Sequence, residues 1–272
     1  MEASAPETAT TCYRHKDRET NVSCSSCGRP ICPDCMTPTP VGMRCPECSR
    51  QKTKVRTATT LQGEPQLAYV LIAINVIAFI AQIAGGNLSG RAGSVYVDGA
   101  LFGPLVADGD WWRIVTAGFL HSGPLHLLLN MYFLWFMGNL LEPAIGRLRF
   151  GIIYVVSLIG GSLGALVVAP DAVTVGASGA VFGLMGAGIL VMRARGIDPM
   201  QSGLGVTLLL NLGISFVIPN ISIGGHIGGL LAGGAVAYLM FELGRQRLTK
   251  NAVLIASIAL GIALAVAAVM VA

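Results

Sequence analysis

Two sets of residues in this sequence have the types and spacing for chemistry. The first is Ser178 in GASGAVFG, His226 in GGHIGGLLAGG, and His126 with Asn130 in HLLLN. A serine hydroxyl becomes a nucleophile when an adjacent base takes its proton, and neutral imidazole can do so near pH 7. Ser178 and His226 supply that pair. The tetrahedral intermediate of acyl transfer then needs hydrogen-bond donors. The Ser178 amide at a helix start and the side chains of His126 and Asn130, four apart on one helical face, are candidates. No Asp or Glu lies inside an apolar stretch beyond Glu142. The arrangement therefore reads as a Ser-His dyad with no cofactor for catalysis.

The second set is near the N-terminus. All seven cysteines and one histidine form four doublets: Cys12/His15, Cys24/Cys27, Cys32/Cys35 and Cys45/Cys48. Eight such ligands suit two tetrahedral zinc ions. Disulfides would leave one cysteine over and conflict with a reducing cytosol. A segment this short, with almost no aliphatic core, needs metal to fold. Four protein ligands per ion close each site, which points to a structural role. Spacing alone allows either sequential or interleaved pairing of the doublets.

Each residue of the first set has a plainer reading on its own. A serine among glycines in a membrane helix is usually a small packing residue, and His or Asn often bridges two helices. Jointly they favour chemistry, because an ionisable group inside a span is costly and marks function by default.

The elements that must position them follow from composition. The 272 residues are 53% hydrophobic and 12% charged, against about 25% charged in ordinary globular proteins, and mean hydropathy is +0.67. This is a membrane protein. Beyond residue 65 the sequence shows apolar stretches at 66–85, 122–141, 148–169, 177–193, 202–218, 224–241 and 251–272, each near the roughly 20 residues that cross a bilayer. The fourth and fifth are short and glycine-rich. No cleavable signal is expected, since the first apolar run follows a long polar segment.

Lys52, Lys54 and Arg56 precede the first span, Arg147 and Arg149 follow the second, Arg193 and Arg195 the fourth, and Arg245, Arg247 and Lys250 the sixth. All fall on one side, and the opposite loops hold only Arg91 and Arg113. The positive-inside rule then places the N-terminus in the cytosol and the C-terminus outside, in the cell membrane. A net charge of +4 calls for no nucleic-acid partner. Alternating spans start the second, fourth and sixth on the external side, so His126, Asn130, Ser178 and His226 share one outer layer. Gly179 and Gly183 on one span and Gly225, Gly229 and Gly233 on another form smooth faces that let backbones approach.

In this order, WWR, FLHSGPLHLLLNM, GASGAVFG and GGHIGGLLAG resemble the rhomboid intramembrane serine proteases. The resemblance implies an all-α polytopic membrane protein, with a six-helix core over 66–243 and a seventh transmembrane helix within 244–272. A zinc module occupies 1–50 and a polar linker 51–65. It implies Ser178 as nucleophile, His226 as base, and His126, Asn130 and the Gly176 region around the oxyanion. Trp112 and Arg113 match a WR pair in the long loop after the first span, and Glu142 opens a structural motif closing the second. Phe182 stands where relatives often carry a tyrosine against the histidine ring. The interleaved cysteine spacing resembles B-box-like zinc fingers, in which doublets one and three share one ion and doublets two and four the other. The implied partners are transmembrane protein substrates and the lipid bilayer; the zinc module is an addition about which the family says little, with a cytosolic protein as its candidate partner. Two alternatives are a catalytically inactive rhomboid-like protein that binds membrane helices, and a transporter. The first usually lacks the serine or the histidine, and the second predicts repeats not found here.

Overall fold

The computed structural model describes residues 10–50, 64–85, 89–91, 93–219, 221–243 and 249–272. The expected linker over 51–65 lies outside these residues except for its last two positions. So do the first nine residues of the zinc module and Lys52, Lys54, Arg56, Arg245 and Arg247 of the charge pattern. The chain divides into two compact units, Met1–Leu61 and Gln62–Ala272.

In the first unit, β1 (Thr10–Thr11) pairs antiparallel with β2 (Glu19–Thr20), and β3 (Thr37–Thr39) with β4 (Gly42–Arg44), followed by α1 (Pro46–Arg50). The buried cluster consists of six cysteines and Ile31. One aliphatic side chain cannot offset the entropy of ordering such a segment, so the fold depends on what the cysteines hold.

The second unit is helical. It runs from α2 (Gln66–Ala84) through three short helices, α3 (Ser94–Gly99), α4 (Gly103–Ala107) and α5 (Arg113–Thr116), to α6 (Pro124–Ile145) and α7 (Arg147–Val168). Then come α8 (Ser178–Ala194), α9 (Leu204–Val217), α10 (Ile223–Tyr238) with a π turn over Leu239–Leu243, and α11 (Lys250–Val271). Five of these helices are long and apolar enough to cross a membrane, and α8 and α9, with 17 and 14 residues, are shorter. The two stretches expected to be short are the two that are.

The second stretch, expected to end at 141, continues to Ile145 because Glu142 is not a solvent-facing stop. Its buried carboxylate accepts from the amides of Leu67 at 2.9 Å and Ala68 at 2.8 Å, capping the start of α2. A negative group at these unpaired amides is favoured. Pro143 sits within the last turn, and the helix stops at Gly146, whose φ of 87° breaks the α geometry.

Helices α7, α8 and α10 pack most intimately, through glycine. A Cβ on Gly229 would overlap the Gly179 carbonyl oxygen, and one on Gly233 that of Gly183. On the opposite side of α10, Gly224 and Gly228 meet Gly164 and Gly160 of α7. The small-residue faces thus bring backbones into contact, which in lipid replaces the hydrophobic force that is missing between helices.

Candidate active site

Ser178 begins α8 and His226 lies in the first turn of α10, the two helices that meet through the glycine contacts. Phe182 carries the geometry further. It stands one turn below Ser178 on the same face of α8, and its ring stacks on the His226 imidazole with centroids 4.1 Å apart and planes 16° from parallel. The His226 ring therefore lies over the face of α8 that presents Ser178. His226 is buried, and its Nδ1 is 2.7 Å from the hydroxyl of Ser215 on α9. Ser222 caps α10, accepting from the Gly225 amide at 3.1 Å, and this fixes the turn that carries the histidine.

His126 comes from the first turn of α6. Its Nδ1 accepts from the Ser122 amide at 3.2 Å and lies 3.1 Å from the Ser122 hydroxyl. An amide can only donate, so Nδ1 is bare and the proton sits on Nε2. The ring edge that carries Nε2 lies against Gly176: a Cβ built there would meet Cε1 at 2.8 Å and Nε2 at 2.9 Å, with Ser178 Oγ at 3.7 Å, so the ring and the hydroxyl border the same spot. The φ of 131° at Gly176 and the crowding of the His126 ring both require glycine. Gly176 contributes room and not a donor, because its own amide is bonded to the Ala117 carbonyl at 2.9 Å. Asn130, buried one turn below, donates to the His126 carbonyl at 2.9 Å with one of its two amide protons.

The segment before α6 is clipped to α2. Gln82 donates to the carbonyls of Gly90 and His121 and accepts from the His121 amide, all at 3.0–3.1 Å. The buried His121 ring meets His126 edge-on at 5.2 Å. Arg113 organises the long loop. Buried at 4% exposure, it donates to the carbonyls of Val97 at 2.7 Å and Ala100 at 2.9 Å and pairs with Asp110 at 2.9 Å. Trp112 adds a bond from Nε1 to the Asp98 carbonyl and, like Trp111, stays exposed, as suits an interfacial belt.

Sequence reasoning does not single out Ser215, Ser122, Gln82 or His121. Ser122 acts through its backbone, which no side-chain pattern announces. His121 has a signal, as a second histidine in the same FLHSGPLH stretch.

The cysteines form two clusters, Cys12/His15/Cys32/Cys35 and Cys24/Cys27/Cys45/Cys48, with ligand atoms within 4.8 Å of one another. The pairing is interleaved: first doublet with third, second with fourth. Sulfur atoms on a tetrahedron about zinc, at about 2.3 Å each, stand about 3.8 Å apart, and Cys27 and Cys45 Sγ are 3.8 Å apart. His15 offers Nδ1, 3.3 Å from Cys32 Sγ and 3.5 Å from Cys35 Sγ. The clusters fit structural metal ions. Surrounding donors favour thiolate at Cys24 and Cys27, whereas burial pushes the Cys35 and Cys45 thiols up. The Cys45 amide, donating at 3.3 Å, leads in bringing the Cys24 thiol down to about 6, and Arg29 lowers that of Cys27 from 3.2 Å.

The model of the rhomboid domain matches residues 108–243, half of the chain. Rhomboid protease GluP of Bacillus subtilis (strain 168) is 35% identical over 187 residues, 67% of this chain and 36% of that protein. The putative rhomboid protease YdcA of the same strain is 37% identical over 146 residues, 52% of this chain and 73% of its own. RHOMBOID-like protein 5 of Arabidopsis thaliana is 38% identical over 149 residues, 52% of this chain and 48% of that one. The match thus spans about a third of GluP and about half of the Arabidopsis protein. With half the chain matched by the domain and most of YdcA covered, the chain belongs to the rhomboid family of multi-pass membrane proteins.

Proposed function

We propose that the protein is an intramembrane serine endopeptidase that cuts peptide bonds in or near transmembrane segments of membrane-protein substrates. The observation that carries this reading is the Phe182–His226 stack, which sets the imidazole against the Ser178 face of α8. Ser178 Oγ gives its proton to His226 Nε2 and attacks the scissile carbonyl, forming the C–O bond. The oxyanion takes hydrogen bonds from the Ser178 amide, His126 Nε2–H and the free amide proton of Asn130. Collapse breaks the C–N bond, and the leaving amine takes the proton back from His226. Water, activated by the same Nε2, then hydrolyses the ester. Both members of the dyad are present, which favours an active enzyme over an inactive relative.

Hydrolysis consumes water, so the site must open to an aqueous recess. Short spans supply one. A 17-residue helix such as α8 is about 26 Å long, less than the roughly 30 Å hydrocarbon core; with Arg193 and Arg195 at its other end held at the interface, its Ser178 end lies below the membrane surface. In the orientation that the basic residues favour, that end faces outside and the N-terminus is cytosolic. A substrate helix must unwind locally to enter, which favours glycine, alanine or other small residues near the cut. The two cysteine clusters hold zinc, which stabilises the N-terminal module, and that module binds a cytosolic protein partner. A fluorophosphonate probe tests the dyad: it should label the wild type in detergent and leave Ser178→Ala unlabelled.

A further inference from the structure

The hydroxyl of Ser215 makes two contacts at once. It is 2.8 Å from the Asn211 carbonyl oxygen, one turn back along α9, and 2.7 Å from His226 Nδ1. Both Ser215 and His226 are buried, so water does not compete. A carbonyl can only accept, and a serine inside a membrane helix commonly gives its proton to the i−4 carbonyl. With the proton there, the contact to His226 runs the other way, the serine oxygen accepting from Nδ1–H.

We propose that Ser215 is the positioning residue of His226, holding the imidazole in its Nδ1–H tautomer so that Nε2 is left bare as the base for Ser178. The proposal rests on the protease reading above. In a Ser-His-Asp triad a buried carboxylate accepts the Nδ1 proton and fixes the tautomer. Among the described residues no carboxylate bonds to His226, and the hydroxyl of Ser215 stands in that place against its Nδ1. A hydroxyl already donating to a carbonyl is polarised into a better acceptor. It can also stabilise the imidazolium that forms as Ser178 attacks.

The two histidines of the site are thereby held in opposite tautomers by two serines. The Ser122 amide donates to His126 Nδ1 and puts that ring's proton on Nε2, on the ring edge that lies against Gly176. The Ser215 oxygen accepts from His226 Nδ1 and clears that ring's Nε2. One imidazole becomes a donor and the other a base, with no charged group spent on either.

The test uses two substitutions that are nearly isosteric with each other. Threonine in place of Ser215 keeps a hydroxyl able to bond the i−4 carbonyl, whereas valine has the shape of threonine without the oxygen. Ser215→Val should lower kcat for a model transmembrane substrate about ten- to a hundredfold with KM unchanged, and Ser215→Thr should retain most of it. Nitrogen NMR of the histidine-labelled protein should show His226 protonated at Nδ1 in the wild type and in Ser215→Thr, and a mixture of tautomers in Ser215→Val. Wild-type kcat in a folded Ser215→Val protein, or an Nε2-protonated His226 in the wild type, would overturn the proposal. The NMR arm needs no turnover. A wild type that fails to cleave would thus count against the protease reading, and the tautomer would still decide for or against Ser215.

Discussion

Glu142→Gln is expected to destabilise the helical unit without touching the site. The carboxylate is 2% exposed and accepts two amide bonds at 2.9 and 2.8 Å from the start of α2. Bonds to a charged acceptor contribute about 1.5–3 kcal/mol each, and neutral ones about 0.5–1.5. Glutamine keeps one bond in neutral form and turns its NH2 towards the other amide, so the net loss is about 2–4 kcal/mol. At about 2–4 °C per kcal/mol for a unit of this size, thermal unfolding in detergent should begin about 5–15 °C lower. Arg147→Gln is the control. Its Nε is 3.9 Å from Glu142 Oε1 and its side chain is exposed, so the pair contributes below about 1 kcal/mol. If Glu142→Gln unfolds at the temperature of that control, the capping account of α2 is wrong.

Gly229→Val places a branched side chain where the Gly179 carbonyl now sits; folded, inserted protein should show strongly reduced cleavage, and full activity would mean that α8 and α10 do not meet there. Arg113→Ala removes three bonds that hold the 94–110 loop, so protease nicking within that loop should rise, as read by limited proteolysis, with an unchanged pattern refuting the clamp. Metal analysis should find about two zinc ions per chain, and chelation should abolish the fold of the N-terminal module while leaving fluorophosphonate labelling of Ser178 intact. Absence of zinc, or loss of labelling on chelation, would contradict one half of that statement each.

The seven apolar stretches are legible because hydrocarbon admits few sequences, and polar residues inside them stand out against that background. Ser178, His226, His126 and Asn130 are visible for that reason. Ser215 is not. A serine in a membrane helix commonly satisfies its own i−4 carbonyl, and nothing in its neighbourhood along the chain shows that a histidine of the next helix will meet the other side of the oxygen. The spacing of the cysteine doublets leaves their pairing open, and it is the resemblance to B-box-like fingers that implies the interleaved pairing the two clusters have. The apolar stretch ends at 141, where Glu142 interrupts it, and the helix runs on to Ile145 with the amides of α2 holding that carboxylate.

The central claim is that Ser178 is a nucleophile and His226 its base, and the labelling rate of a fluorophosphonate probe on purified, folded protein measures that most directly. Labelling should be absent in Ser178→Ala and fall steeply in His226→Ala, since nucleophile and base act as one unit. Asn130→Ala should be milder, at about 10²–10³ in the rate of substrate cleavage if it donates one oxyanion bond. Cleavage of a model transmembrane substrate should follow the same order. A folded Ser178→Ala protein that still cuts that substrate at the wild-type rate would contradict the account.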